Sequence, residues 1–559
     1  MMMAMILALL LFCLLSVSSQ VAAQAWLPVP ENIQSGDTVL LACGHTYVGE
    51  LDVAMRRNVR IKTQGDCGAA TITPARPVTN WQRDKQSPRL WHVAIDFVPV
   101  QLSFNGRVLP LAHYPNTPQI WVRGHSRQPG VLHYPFPSAD LAGATLVWRA
   151  ADWLIQTRPI VRYAEGAALI DSTDDDGFGL LPETDFYLEG KRWMLDAPGE
   201  WVFENGQLYL WPPDGKSPED KVWAAPRARG INASGSQSVQ IRGVRISNAT
   251  LGIDGSDAQD LSISETEILH SGEDAILVGG RGLRINNSRI FLTGQNGIRA
   301  NDDATDVEIS DSSISGAGML GLPRRSKGAI VFEQARGVRI LRNQITESSY
   351  IAIRVFRDAV VMDNQIERAC LQLSDCGGIY TFARDHQPLQ LRIERNRISH
   401  LAGSQSYAIY LDDYANGVVI SGNELRNNPG GMQLHNAFDN LIEHNLFDRN
   451  LHQQILFNET GGVPTITNNQ LRNNRFHSDA VPVFRLWSVF GESTVRRFAR
   501  FERNVYVDAP KDFAEVAGRG MLGYAVWSKQ ISQEAGVRHV APRKPCGPVL
   551  CKSASRSAP

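Results

Sequence analysis

The residues with the most chemical capacity in this sequence fall into register when seven short apolar segments are aligned. Each segment holds one core residue, and the series runs Ile298, Ile330, Ile353, Ile379, Ile409, Met432 and Ile455. Two positions on stands a second core column: Ala300, Phe332, Val355, Thr381, Leu411, Leu434 and Phe457. Side chains of an extended strand alternate between faces, so the intervening columns point outward. One reads Arg299, Val331, Arg354, Tyr380, Tyr410, Gln433 and Leu456; the next reads Asn301, Glu333, Phe356, Phe382, Asp412, His435 and Asn458. Neighbouring strands lie roughly 4.8 Å apart, so Asp412 and His435 are within reach of each other, whereas Glu333 is three strands from Asp412, on the order of 14 Å. Aromatic rings and carboxylates on one sheet face suit a sugar: rings stack on pyranose faces, and carboxylates transfer protons or attack the anomeric carbon. Glu333 and Asp412 are the carboxylates of the second outward column. His435, Tyr380, Tyr410, Arg354 and Gln433 are the expected substrate-binding residues.

These columns exist only if the chain coils. From about 235 to 507 one phrase recurs: apolar-x-apolar-x-x-(Asn/Ser/Thr)-x-apolar. Leu283-Arg-Ile-Asn-Asn-Ser-Arg-Ile290 and Val338-Arg-Ile-Leu-Arg-Asn-Gln-Ile345 are two examples. The closing apolar residues are Ile246, Ile268, Ile290, Ile314, Ile345, Ile366, Ile398, Leu425, Phe447, Leu471 and Tyr506, separated by 22, 22, 24, 31, 21, 32, 27, 22, 24 and 35 residues. A basal period near 22 with alternation of period two means short strands. No coil can bury its apolar edge alone, so the coils stack. The predicted fold is all-β, a right-handed parallel β-helix, the hand following from the crossover rule. The recurring Asn suits a tight left-handed turn and can bond to its stacked neighbours. The long steps gather between Ile314 and Leu425, which puts long loops around the middle coils, where function is usually carried.

Ten of the twelve tryptophans lie between Trp26 and Trp223, and none lies between 224 and 486. The expected organisation is a leader over 1–23, a cap and first coils over 24–77, and an inserted Trp-rich, β-sandwich-like module over 78–225. The parallel β-helix then runs over 226–510, with a cap and tail over 511–559. Most of the inserted aromatics are expected to be core. The 56 Lys+Arg balance 57 Asp+Glu, a net charge of −1, so no basic excess exists to coat nucleic acid. With 43% hydrophobic residues the chain is globular rather than disordered.

Ile6 to Val17 is a predominantly apolar run ahead of Val21-Ala22-Ala23, which reads as an export signal. Its removal takes Cys13 and leaves six cysteines in three close pairs: Cys43 with Cys67, Cys370 with Cys376, and Cys546 with Cys551. Nearest-neighbour disulfides are the simplest of the possible pairings and fit an oxidising compartment, periplasm or medium. No C-x-x-C occurs, so zinc binding is the weaker alternative. No metal, cofactor, nucleic acid or membrane partner is expected for the mature chain, and it is expected to be a monomer acting on carbohydrate.

Several blocks resemble the secreted parallel β-helix glycoside hydrolases that include α-L-fucosidase and xylanase members. They are Asp375-Cys-Gly-Gly-Ile-Tyr-Thr381, Tyr407-Ala-Ile-Tyr-Leu-Asp-Asp413, Leu434-His-Asn-Ala-Phe-Asp-Asn440 and the stretch from Leu195 to Pro212, with Tyr114-Pro-Asn116 upstream. The resemblance spans about 30 to 460. It implies a catalytic pair of acids in the cleft, which by motif position are Asp375 and Asp412. The family's His-Gly-Gly is here His435-Asn436-Ala437, which implies a bulkier pocket floor. On straight adjacent strands Asp375 and Asp412 would be about 20 Å apart, whereas catalytic carboxylates stand about 5 Å or 6.5–9.5 Å apart. Either the chain bends at Asp375, as Gly377 and Gly378 permit, or another acid serves beside Asp412, with Asp385, Asp413 and Glu333 as the alternates. A Cys370–Cys376 bridge would pin that loop.

Two other functions compete with hydrolysis. A polysaccharide lyase on this scaffold would use a Lys, Arg or His base, for which Arg325, Lys327, Arg354, His386 and His435 are available. A non-catalytic carbohydrate-binding or surface-assembly protein would need none of them. The acidic run Asp171 to Gly177 lacks the Glu that closes an EF-hand and reads as a polar turn. Asp302-Asp303 and Gly279-Gly280 also read as turns, and His386 and His400 as surface residues.

Overall fold

A computed structural model describes residues 26–116, 120–171, 178–301, 303–532 and 538–540. The expected leader with Cys13, the acidic run 172–177 and Asp302 lie outside the described residues. The chain forms a right-handed parallel β-helix whose three long sheets hold 15, 13 and 14 strands among the described residues. The first coils precede the insert: Arg60–Gln64 pairs with Gln240–Arg242, and Ala70–Thr73 with Val244–Ser247, so the helix resumes where it was interrupted. Beyond residue 510, Ala514–Val516 and Arg538–Val540 still add parallel strands to two of the sheets. No described helix is long and apolar enough to cross a membrane.

The apolar column is continuous. Ile246, Ile268, Ile290, Ile314, Ile345, Ile366, Ile398, Leu425 and Phe447 follow one another in register along the 15-stranded sheet. The next members are Phe476 and Tyr506. Leu471 does not belong there: it sits in the 13-stranded sheet between Ile442 and Phe501. The segment Leu471-Arg-Asn-Asn-Arg-Phe476 carries an apolar residue on each side of one turn, and spacing alone does not say which side is which.

That turn is held by a buried amide ladder. The Nδ2 groups of Asn343, Asn364, Asn396, Asn423, Asn445 and Asn474 each donate to Oδ1 of the next member, at 3.0–3.1 Å, and the ladder ends on Asn504. Each amide also donates to a main-chain carbonyl of the preceding coil, as Asn396 does to Val361 at 2.9 Å. The left-handed turn expected of these asparagines is made instead by the residue before each: Arg342, Asp363, Arg395, Gly422, His444, Asn473 and Arg503 have φ between 52° and 66°. The asparagine follows that corner and turns its amide inward.

Among the described residues the regular elements of the insert are β-strands apart from one 3-10 turn, Arg192–Met194. Strands Val122–Gln128, Val131–His133, Ala167–Ile170, Leu154–Ala164, Thr145–Ala151 and Glu183–Glu189 close into an antiparallel barrel, completed by the pairing of Glu183–Glu189 with Thr145–Ala151. Two four-stranded sheets flank it. Trp148 and Trp201 are fully buried, as expected of core tryptophans. The barrel leans back on the middle coils. Arg149 Nη1 donates to Gln372 O at 2.9 Å, Ser374 N to Asp152 O at 2.9 Å, and Arg324 grips the buried Glu189 at 2.7 and 2.8 Å.

Two of the three expected disulfides are formed. Cys43 is bonded to Cys67, and Cys370 to Cys376. The third expected pair, Cys546 with Cys551, is not among the disulfides of the described residues: Cys546 and Cys551 both lie outside that range, beyond Val540.

Removing one rung of the ladder strands several buried polar groups at once. Asn396→Ala is expected to cost about 2–4 kcal/mol in denaturant unfolding, with an unchanged denaturant slope.

Candidate functional site

The outward columns predicted from sequence are present in the 14-stranded sheet. Arg354 pairs with Tyr380, Tyr380 with Tyr410, Tyr410 with Gln433, and His435 with Asn458. Asp412 follows the strand Ser406–Leu411, and its N–H donates to Thr381 O at 2.8 Å. Its carboxylate is held from two sides. His435 Nδ1 lies 2.6 Å from Oδ1, and the Tyr380 hydroxyl donates to Oδ2 at 2.6 Å. The far nitrogen of His435 meets Thr460 Oγ1 at 2.7 Å.

Asp375 joins the same site. It lies immediately before the strand Cys376–Thr381 with φ +50°, its carbonyl accepts from the Tyr350 hydroxyl at 2.9 Å, and the next residue is disulfide-bonded. The strand itself is bent. Ile379 is fully buried, and a Cβ on Gly378 would lie 2.8 Å from Ile398 Cγ2 in the core, so two successive residues face inward. The straight-strand separation therefore does not apply. Across the gap, the Tyr410 phenol faces the Asp375 carboxylate and acts on its pKa as a donor. Gly377 leaves space for it, since a Cβ there would come within 3.1 Å of Tyr410 Cβ. Asp375 and Asp412 line one cavity of about 510 Å³.

The two carboxylates are driven in opposite directions. Burial, then the charge of Asp412, raises the pKa of Asp375; the Tyr410 hydrogen bond and His435 oppose this without cancelling it. Burial also works to raise Asp412, but the hydrogen bonds from His435 and Tyr380 and the charge of His435 outweigh it, and its pKa is lowered. Burial would lower His435, yet its bond to Asp412 and the charges of Asp412, Asp413 and Asp375 raise it. Burial and the adjacent carboxylates push Tyr380 and Tyr410 well above the ordinary phenol range, so both remain donors.

The alternates fall elsewhere or play lesser parts. Glu333 is taken up by Lys327 at 3.1 Å and Arg354 at 3.2 Å. Asp385 pairs with Arg357 at 2.6 Å and lines a neighbouring cavity. Asp413 is half-exposed and accepts from Asn436 Nδ2 at 2.7 Å. Gln433 keeps its column but is buried and off the cavity lining. Among the bases a lyase could use, His386 stacks on Tyr414 at 4.1 Å, and Arg325 is off the lining. The departure from His-Gly-Gly does not crowd the floor. Asn436 takes the left-handed conformation, φ +50°, and turns its amide to Asp413 and Thr460, while Ala437 is buried in the core. Asn is the side chain that best tolerates that conformation. Asp412, Asp413 and His435 offer three ligand atoms within 4.8 Å, the set among the described residues that could hold a metal, but both His435 nitrogens are already engaged.

The sequence columns missed Trp153, Tyr350, Arg384 and Tyr414 on the lining, and Thr460 behind His435. Trp153 comes from the turn between barrel strands Thr145–Ala151 and Leu154–Ala164, the same turn whose Asp152 carbonyl accepts from Ser374. No local pattern connects it to coils two hundred residues away. Tyr350 and Tyr414 flank the aligned strands and were within reach of the same alignment had it been extended.

With this geometry in view, the family model for the right handed beta helix region matches residues 223–367 and 328–482. No curated protein sequence matches the chain. A solved structure described as a glycoside hydrolase is similar over 73% of this chain and 88% of its own, with TM-score 0.60 and 14% identity. XylC in complex with xylose aligns over 87% of this chain and 80% of its own at TM-score 0.37 and 13% identity. The GH136 lacto-N-biosidase from Eubacterium ramulus aligns over 81% and 60%, at TM-score 0.34 and 9% identity. The likeness to the first is one of fold.

His435→Ala removes the main counterweight to burial at Asp412. The Asp412 pKa is then expected to rise, as read by carboxyl NMR titration; an unchanged value would show that His435 does not hold it down.

Proposed function

We propose that the protein is an exported glycoside hydrolase, in the β-helix group that includes α-L-fucosidase and xylanase members, using Asp375 and Asp412 as its catalytic pair. One observation carries this: two carboxylates line one cavity with pKa values driven apart, the condition that assigns acid and base roles. Asp375, whose protonated form is favoured by burial and by the charge of Asp412, donates a proton to the leaving oxygen. Asp412, kept ionised by His435 and Tyr380, activates water or attacks the anomeric carbon. Trp153 and Tyr414 offer aromatic surface to sugar faces. The two disulfides support export to an oxidising compartment. The fold likeness to a glycoside hydrolase over most of the chain agrees with this.

Reducing-end release from a glycan panel tests the reading. Asp412→Asn and Asp375→Asn should each lower kcat by about 10²–10⁴. Asp375→Asn should lose far less on aryl glycosides whose leaving group needs no proton. Full activity in Asp412→Asn, or a product with new ultraviolet absorbance from an unsaturated uronate, would remove the hydrolase assignment. The pH profile has a defined sign. Activity falls as pH rises through the raised pKa of Asp375, and falls as pH drops through the lowered pKa of Asp412. Asp375→Asn should abolish the alkaline limb. Trp153→Ala should raise KM about 3–10-fold with kcat nearly unchanged.

A further inference from the structure

Two more cavities continue the catalytic one along the outward face of the 14-stranded sheet. The first, about 270 Å³, shares Phe382, Ala383 and Arg384 with it; the second, about 350 Å³, shares Glu333 with the first. Together these two are lined by five cations, Arg299, Lys327, Arg336, Arg357 and Arg384, against two carboxylates, Glu333 and Asp385. On other faces of the helix, arginines meet a carboxylate on a stacked coil, as Arg242 does with Glu265, Arg342 with Asp311 and Arg395 with Asp363. In the groove Arg299 pairs with Asp274 and Arg357 with Asp385, while one acid, Glu333, is shared between Lys327 and Arg354, which leaves Arg336 and Arg384 in excess. Arg384 lies against the Phe382 ring, its guanidinium carbon 5.2 Å from the centroid. Neither Arg384 nor Arg336 has a carboxylate within salt-bridge distance among the described residues.

We propose that the glycan taken by this site is anionic, with carboxylate or sulfate groups seated on Arg336, Arg384 and the Arg354–Lys327 pair while an adjoining sugar occupies the catalytic cavity. This rests on the hydrolase reading for the cleavage step, and on the groove's own charge for binding. Guanidinium is the side chain suited to planar, forked recognition of carboxylate and sulfate oxygens. A net charge of −1 means that any attraction of a polyanion is local to this groove, not a property of the whole surface.

Binding is measured with the Asp412→Asn chain by affinity electrophoresis on two matched pairs: polygalacturonate against its methyl ester, and dextran sulfate against dextran. The charged member of at least one pair should bind about tenfold more tightly, more so at low ionic strength, and the pair that responds identifies carboxylate or sulfate. The double variant Arg336→Gln/Arg384→Gln, altered at two exposed positions, should lose most of that preference. Equal retardation by both members of both pairs overturns the proposal, as does a preference that survives the double variant. Reducing ends are assayed separately with the unaltered catalytic pair. Arginine-dependent binding without cleavage upholds the groove and counts against the hydrolase reading.

Discussion

The buried asparagine ladder is the interaction on which the rest of this molecule depends. A coil of about 22 residues has no interior of its own; its apolar side chains are covered only by coils above and below. Apolar burial opposes a slip of one residue, which would invert every side chain of the strand, but it is non-directional and tolerates a slip of two, which keeps the same face inward. A buried amide is not so tolerant. Asn396 accepts from Asn364, donates to Asn423 and donates to the Val361 carbonyl, and no other register satisfies all three. Each such bond contributes on the order of 1 kcal/mol, but leaving its groups unpaired costs more. The ladder thus acts chiefly as a register lock, and coils of 21 to 32 residues differ only in loops that leave and rejoin at the same rungs.

That lock is what brings the candidate site together. Asp412 and His435 belong to successive coils and meet at 2.6 Å because their strands are held in phase. Tyr380 and Tyr410 are also neighbours in one column, edge to face at 5.3 Å, yet their hydroxyls serve different carboxylates. A phenol donor lowers a carboxylate pKa, and each carboxylate has one acting on it, so the tyrosines do not create the difference between them. The difference comes from His435, which bonds Asp412 directly and reaches Asp375 only through its field.

Much of this was legible in the sequence, and the limits have physical causes. The core columns, the outward columns and the Asp412–His435 contact follow from alternation and stacking, which are local rules repeated. Leu471 was misplaced because one turn has apolar residues on both sides. The left-handed corner was assigned to the asparagine rather than to the residue before it, because composition marks the amide, whereas the corner is filled by Arg, Asp, Asn, His or Gly. Alternation does not place Asp375, because it breaks at Gly378–Ile379, where two successive residues face the core and no change in residue type marks the break. Trp153 was out of reach because it arrives from a separately folded barrel.

The barrel's place in the chain then has a reason beyond carrying aromatics. It leaves the helix after Thr73 and returns at Arg229, at the first coils, yet its tip reaches the middle ones. A loop grown from the middle coils could cover the cavity, but its conformation would depend on those coils alone. A barrel with its own core, anchored by Arg324 on the buried Glu189 and by Arg149 on Gln372, presents Trp153 on rigid strands. The same turn that carries Trp153 bonds Ser374, the residue before Asp375. Aromatic wall and raised-pKa acid are therefore positioned by one contact, so a shift of the barrel would displace both together. The outward groove of arginines lies outside that contact and is left open along the helix axis, the direction in which a polymer could extend from the cavity.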